Sequence, residues 1–145
     1  MLLKRRTQHH LSALADLDLL ADCGVDELEH AASLLTPIDI AAGEVLLRQD
    51  TVGREFLIVA SGQLAVTRSS AGEAEFVTVV ESGSVVGEMS LINRAPRSAT
   101  VTTLTPVRLY AGTTQEFFAF LDAVPTAGRR ILAAAQARER SNRAA

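Results

Sequence analysis

Between Leu11 and Leu35 apolar residues return at every third or fourth position: Leu11, Leu14 and Leu17, then Val25, Leu28, Ala31, Ala32 and Leu35, with Gly24 between the two sets. A 3.6-residue period gives a helix one apolar stripe, so this spacing predicts two short amphipathic helices over about residues 9–35. Beyond Pro37 the rhythm changes. Gly43, Gly53, Gly62, Gly72 and Gly83 recur at nine- to eleven-residue intervals, separated by stretches rich in Val, Ile, Leu and Thr. That is the pattern of short antiparallel strands joined by tight turns, as in a sandwich or barrel. Leu64 and Val66, and then Phe76, Thr78 and Val80, alternate with Ala65, Thr67, Val77 and Val79, several of them also apolar. Cover on both faces is expected there, which favours a rolled sheet over an open one. Residues 99–104 and 107–111 read as two further strands turning at Thr105-Pro106, because Pro cannot donate to a central ladder. Thr113 stands three residues before Glu116 and ahead of Phe117, Phe118, Phe120 and Leu121, the arrangement of a capping box opening a helix whose aromatic residues enter the core. Pro125 suits the first turn of a second helix, with Ile131, Leu132, Ala135 and Arg138 along one side.

The resulting expectation is an α+β fold in one domain over residues 1–145. An eight-stranded antiparallel β-roll or jelly-roll barrel at about 36–111 is flanked by N-terminal helices and by C-terminal helices at about 113–142, with residues 141–145 disordered. Composition agrees: 145 residues, 48% of them hydrophobic and none of them Trp, suffice for one core of Val, Leu, Ile and Ala. The net charge of −3 is unevenly spread, with six basic against sixteen acidic residues between Thr7 and Gly128. So acidic a body repels nucleic acid and lipid surfaces, and the terminal Lys and Arg residues read as solvated helix faces. The lone Cys23 cannot form an internal disulfide and has no basic neighbour in sequence, which fits a cytoplasmic setting. Polar residues interrupt the N-terminus where a signal peptide needs an apolar stretch, and no run long enough to span a membrane occurs. His9, His10 and His30 all fall in the N-terminal helices, so a metal site among the strands, and with it a metal-dependent enzyme on a small barrel, lacks ligands. No nucleophile elbow is present, and no catalytic residue or cofactor is assigned.

The segment from Gly83 to Val101 breaks the strand rhythm. In Gly87-Glu88-Met89-Ser90-Leu91 a glycine stands where a strand gives way to a helical turn, leaving the amides of Met89, Ser90 and Leu91 to receive an anion. Ten residues after Gly87 comes Arg97, at the start of an apolar strand that directs its guanidinium inward. A buried arginine requires a carboxylate or a bound anion, and its planar fork matches phosphate oxygens two at a time. Glu88 at the same turn makes sense as an acceptor for a sugar hydroxyl. A phosphate donor set beside a hydroxyl acceptor describes a ribose phosphate, and the narrow span favours a cyclic one.

At these residues the chain resembles the cyclic nucleotide-binding domain family, whose phosphate-binding cassette matches Val86-Gly87-Glu88-Met89-Ser90-Leu91 and Pro96-Arg97-Ser98-Ala99-Thr100-Val101 with the spacing from Glu to Arg intact. Residues 42–46 and 56–62 are similar to the family's first barrel strands, and the likeness extends over about residues 17–132. The resemblance implies that Arg97 holds the exocyclic phosphate oxygens, Ser98 adds a hydroxyl contact and the Ser90 amide completes the cradle. Gly87 and Glu88 would hold the ribose 2′-hydroxyl, and Val80, Val86 and Met89 would wall the purine. Arg138 from the final helix would close over the base. The chain departs from the family at Val86, where Phe is usual, at Ser84, where Asp often stands, and at Asp50, where a turn glycine is common. Thr at the position of Ser98 goes with tolerance of cGMP, and Ser keeps the hydroxyl without the methyl. The ligand expected is therefore cAMP, with cGMP second, and no enzymatic activity. Residues 101–145 leave room for closing helices but for no effector domain, so output is expected in trans, through a protein partner or a homodimer that meets the C-terminal helices at Ile131 and Leu132. The alternative is a degenerate barrel that binds no nucleotide and serves as an interaction scaffold.

Overall fold

The structure, a computed structural model, describes residues 14–144, with side chains described as far as residue 137. His9, His10 and the predicted start of the first helix lie outside the described residues. Eight strands follow one another: β1 (Thr36–Ile40), β2 (Val45–Leu47), β3 (Glu55–Ser61), β4 (Leu64–Ser70), β5 (Glu73–Val80), β6 (Val85–Val86), β7 (Thr100–Thr103) and β8 (Val107–Thr113). They form two four-stranded antiparallel sheets, in the orders β1-β8-β3-β6 and β2-β7-β4-β5. Among the described residues four further helices are placed: α1 (Val25–Leu34), α2 (Glu88–Ile92) between β6 and β7, α3 (Thr114–Ala123) and α4 (Pro125–Ala144). The expected eight-stranded α+β jelly roll with flanking helices is the fold observed.

Two apolar clusters explain why β3 carries the continuous run Phe56-Leu57-Ile58-Val59. Leu57 and Val59 point into the barrel with Leu47, Leu64, Val86, Val101 and Leu109. Phe56 and Ile58 point outward beneath the helices, with Leu14, Leu20, Tyr110, Phe117, Phe120 and Ile131. A strand covered on both faces has no polar face to alternate. The Phe56 ring meets Phe117 edge-on at 4.8 Å between centroids, and each such buried ring contributes about 2 kcal/mol of transfer free energy.

Several expectations need correction. The leucine spacing before Gly24 does not continue as a helix: a 3-10 turn occupies Asp18–Leu20 and Asp22 takes a φ of 69°. The carbonyls freed there are taken by Arg130, whose Nη1 donates at 3.0 Å to those of Asp18, Leu19 and Ala21. This terminal arginine is therefore a tie between α4 and the 3-10 turn, not part of a solvated face. Strand β5 is not covered on both faces; it is an edge strand, with Phe76 63% and Val77 42% exposed. Phe118 is exposed while Phe117 and Phe120 are core, because Phe118 falls off the helix stripe the other two share. On α4, Ile131 and Ala135 are buried while Leu132 is exposed. Helix α4 also continues to Ala144 through most of the stretch expected to be disordered, prolonging a helix whose preceding turns are rich in helix-favouring Ala, Gln, Arg and Glu.

The helix boundary at residue 113 follows the predicted capping box. Thr113 Oγ1 accepts from the Glu116 amide at 3.1 Å, and Glu116 Oε1 accepts from the Thr113 amide at 2.9 Å. Strand β8 runs directly into that cap.

Candidate functional site

Strand β6 pairs Val86 with Leu57 of β3, and the next residue, Gly87, turns at φ 86° into α2. That left-handed backbone is where glycine is favoured, and a Cβ at Gly87 would also lie 2.6 Å from Arg97 Nη1. The turn sets Glu88 and Ser90 inside the protein, 1% and 9% exposed. Met89 between them is half-buried.

The β2–β3 connection brings in Arg97 from the other side. Asp50 donates its amide to the Arg97 carbonyl at 2.8 Å, the Arg97 amide donates to the Thr51 carbonyl at 2.8 Å, and Val52 bridges Pro96. Residues 50–53 thus run antiparallel to residues 95–97 and lay Gly53 over the Arg97 guanidinium. A side chain at Gly53 would overlap Ser90 Oγ and stand 2.8 Å from Arg97 Cζ.

Arg97 is 5% exposed, as its predicted inward direction requires. Nη1 donates to the Gly87 carbonyl at 2.7 Å and to Ser90 Oγ at 2.8 Å, and Nη2 donates to the Glu55 carbonyl at 2.7 Å. Its partners within the protein are thus neutral oxygens, two carbonyls and a hydroxyl. Three of the five guanidinium N–H groups are satisfied by the protein, which offsets the desolvation that a buried arginine otherwise suffers. Burial pushes the Arg97 pKa down, and the carboxylates of Glu55 and Glu88 act in the opposite direction. The group stays a cation at any ordinary pH. Ser90 Oγ accepts from Arg97 and donates to the Gly87 carbonyl at 3.2 Å, fixing the hydroxyl between α2 and the guanidinium.

These residues border a cavity of about 350 Å³, the size of small-molecule sites. Gly87, Glu88, Met89, Ser90, Arg97, Ser98, Val80 and Val86, the residues singled out in the sequence apart from Arg138, all line it. The side chain of Arg138 lies outside the described residues, but the preceding residue of α4, Ala137, lines the cavity. The remaining wall is mostly apolar, from Leu47, Val66, Val77, Ala99 and Val101, suited to a flat ring system. Ser98 itself is exposed.

Besides this apolar wall, four contributors escape the sequence reading. Gly53 looked like one more turn glycine, and Glu55 acts through its backbone carbonyl, which any residue supplies. Thr78 lines the cavity from β5. Arg68 extends the inward alternation of Leu64 and Val66, and that pattern was the signal available for it. Among the described residues no group of three or more His, Cys, Asp or Glu side chains is placed to hold a metal ion. Also among them, no helix is long and apolar enough to cross a membrane. His30 is exposed on α1, and burial raises the pKa of the Cys23 thiol.

Comparison with known proteins gives a consistent picture. The family model for the cyclic nucleotide-binding domain matches residues 37–123, more than half of the chain. The acetyltransferase Pat of Mycolicibacterium smegmatis is 32% identical over 111 residues, which is 77% of this chain and 33% of that protein. A cAMP-dependent protein kinase regulatory subunit of Yarrowia lipolytica is 32% identical over 96 residues, 66% of this chain and 25% of that protein. The chain thus spans a third or less of either relative. Among solved structures, the regulatory domain of Toxoplasma gondii PKA with cAMP superposes with a TM-score of 0.79 at 23% identity, covering 94% of this chain and 51% of that one, a likeness of fold.

Proposed function

The chain belongs to the cyclic nucleotide-binding domain family, and from that premise we propose that it binds a cyclic mononucleotide, cAMP in preference to cGMP, as a regulatory receiver in the cytoplasm and not as an enzyme. The observation that carries this reading is the buried Arg97 beside the turn at Gly87, both bordering a cavity with apolar walls. In this reading the phosphate meets Arg97 and the amides at the start of α2. Glu88 and Gly87 take the ribose 2′-hydroxyl, Ser98 adds a contact, and Val80, Val86 and Met89 pack on the purine. Arg138 remains our candidate for closing over the base. The preference for cAMP draws support from the Yarrowia relative's name and from Ser98, which lacks the threonine methyl that goes with cGMP.

Output in trans, to a protein partner or a second copy, is the corresponding proposal for the C-terminal helices. Ala137 lines the cavity and α2 packs against α4, so a ligand that fills the cavity acts directly on α4. Ile131 is buried, and among the described side chains of α4 Leu132 is the large apolar one that is exposed. A second reading, a degenerate barrel acting as a scaffold, draws on the hydrogen bonds by which the protein already takes three of the five N–H groups of Arg97. Calorimetric titration with cAMP and cGMP separates the two. Binding of cAMP tighter than cGMP supports the receiver, and no heat with either nucleotide selects the scaffold. Slower amide exchange from Thr113 onward in saturating ligand supports the output proposal, and unchanged exchange there overturns it.

A further inference from the structure

The inward face of β4 is Leu64, Val66 and then Arg68. Leu64 is buried in the barrel cluster, Val66 packs against it, and both Val66 and Arg68 line the cavity. Residues two apart on a strand share a face, so Arg68 ends an apolar series with a cation facing the same space. Its guanidinium makes one hydrogen bond, from Nε to the Ser98 carbonyl at 3.3 Å, near the long limit for such a bond. Glu75 stands opposite it in the β4–β5 ladder, yet the ion pairs among the described residues are Arg108 with Asp39 and Arg130 with Asp22. The terminal fork of Arg68 is thus unspent, while both Nη1 hydrogens of Arg97 are taken by the protein. Among the described residues that line the cavity, Arg68 and Arg97 are the two cations.

We propose that Arg68 is a second ligand-contacting cation of this cavity, which reaches the ligand's phosphate from β4, anchored on the backbone of the residue that follows Arg97. The inference rests on the cyclic-nucleotide reading of the cavity. It assigns anion affinity to two guanidinium groups, one pinned in the cassette and one with donors to give. Because the contact is to phosphate, it is indifferent to the base.

The test is calorimetric titration of cAMP and cGMP into wild type, Arg68→Gln and Arg68→Lys at low and high salt, with unfolding midpoints measured alongside. Arg68→Gln should weaken both nucleotides by the same factor, roughly tenfold, and reduce the salt dependence of binding. Arg68→Lys should retain that salt dependence and part of the affinity. Unchanged affinity for both nucleotides overturns the proposal. So does a loss confined to one nucleotide, which marks a base contact, or a loss with unaltered salt dependence, which marks a structural role. Failure of wild type to bind either nucleotide refutes the cavity's nucleotide reading itself, whereas failure of the Arg68 proposal leaves wild-type binding intact.

Discussion

Replacing Gly53 with Ala places a methyl group against the Arg97 guanidinium. The added carbon would overlap Ser90 Oγ and lie 2.8 Å from Arg97 Cζ and 3.0 Å from Nε, where carbon contacts are comfortable at roughly 3.5 Å and beyond. Neither neighbour can give way freely. Arg97 is held by hydrogen bonds of 2.7, 2.8 and 2.7 Å, and the loop backbone is held by the Thr51–Arg97 bond and the Val52–Pro96 bridge. Relief requires breaking the Arg97–Ser90 bond and tilting the guanidinium. Overpacking of this kind costs about 1–3 kcal/mol, and losing one bond to a charged group falls in the same range. The two are the same event, so a total near 2 kcal/mol is expected rather than their sum. The misplaced fork should also weaken cAMP by about tenfold or more. Urea unfolding of Gly53→Ala, with and without saturating cAMP, reads both quantities through linkage. Stability within about 0.5 kcal/mol of wild type, together with unchanged affinity, would show that the guanidinium does not lie beneath Gly53.

Two smaller changes probe the same region. Ser90→Ala removes both the acceptor for Arg97 Nη1 and the donor to the Gly87 carbonyl; a loss of about 1–2 kcal/mol in urea unfolding is expected, and no loss would mean that Arg97 is not held through Ser90. Asp50 sits at φ 67° with its side chain exposed; Asp50→Gly should therefore stabilise by about 0.5–1 kcal/mol, and a destabilised variant would show that the carboxylate matters more than the turn.

The cassette is legible in the sequence because its chemistry is local. Gly87, Glu88 and Ser90 are set by one turn, and Arg97 follows at a spacing that the family repeats. The strand count is legible for a similar reason, since each tight turn needs its own glycine or proline. What escapes is whatever depends on how distant segments meet. Nothing in the run Thr51-Val52-Gly53 announces that it will lie on Arg97, and a carbonyl such as that of Glu55 leaves no trace in side-chain identity. Burial along β5 is not legible because an edge strand and a central strand can share the same apolar content; its position in the ladder decides which it is. The 3-10 turn at Asp18–Leu20 is tied down by Arg130, more than a hundred residues away in the chain. The departure at Asp50, by contrast, leaves a mark in the sequence: Asp stands where a turn glycine is common in the family, and φ is 67° there.

The central claim is that Arg97 receives the phosphate of a cyclic nucleotide. Titration of cAMP into wild type and Arg97→Ala, each first shown to be folded by its unfolding transition, tests it most directly. With a bidentate contact to phosphate, the variant should lose about 3–4 kcal/mol of binding free energy, a weakening of several hundredfold. Equal affinity of the two proteins for cAMP would contradict the account.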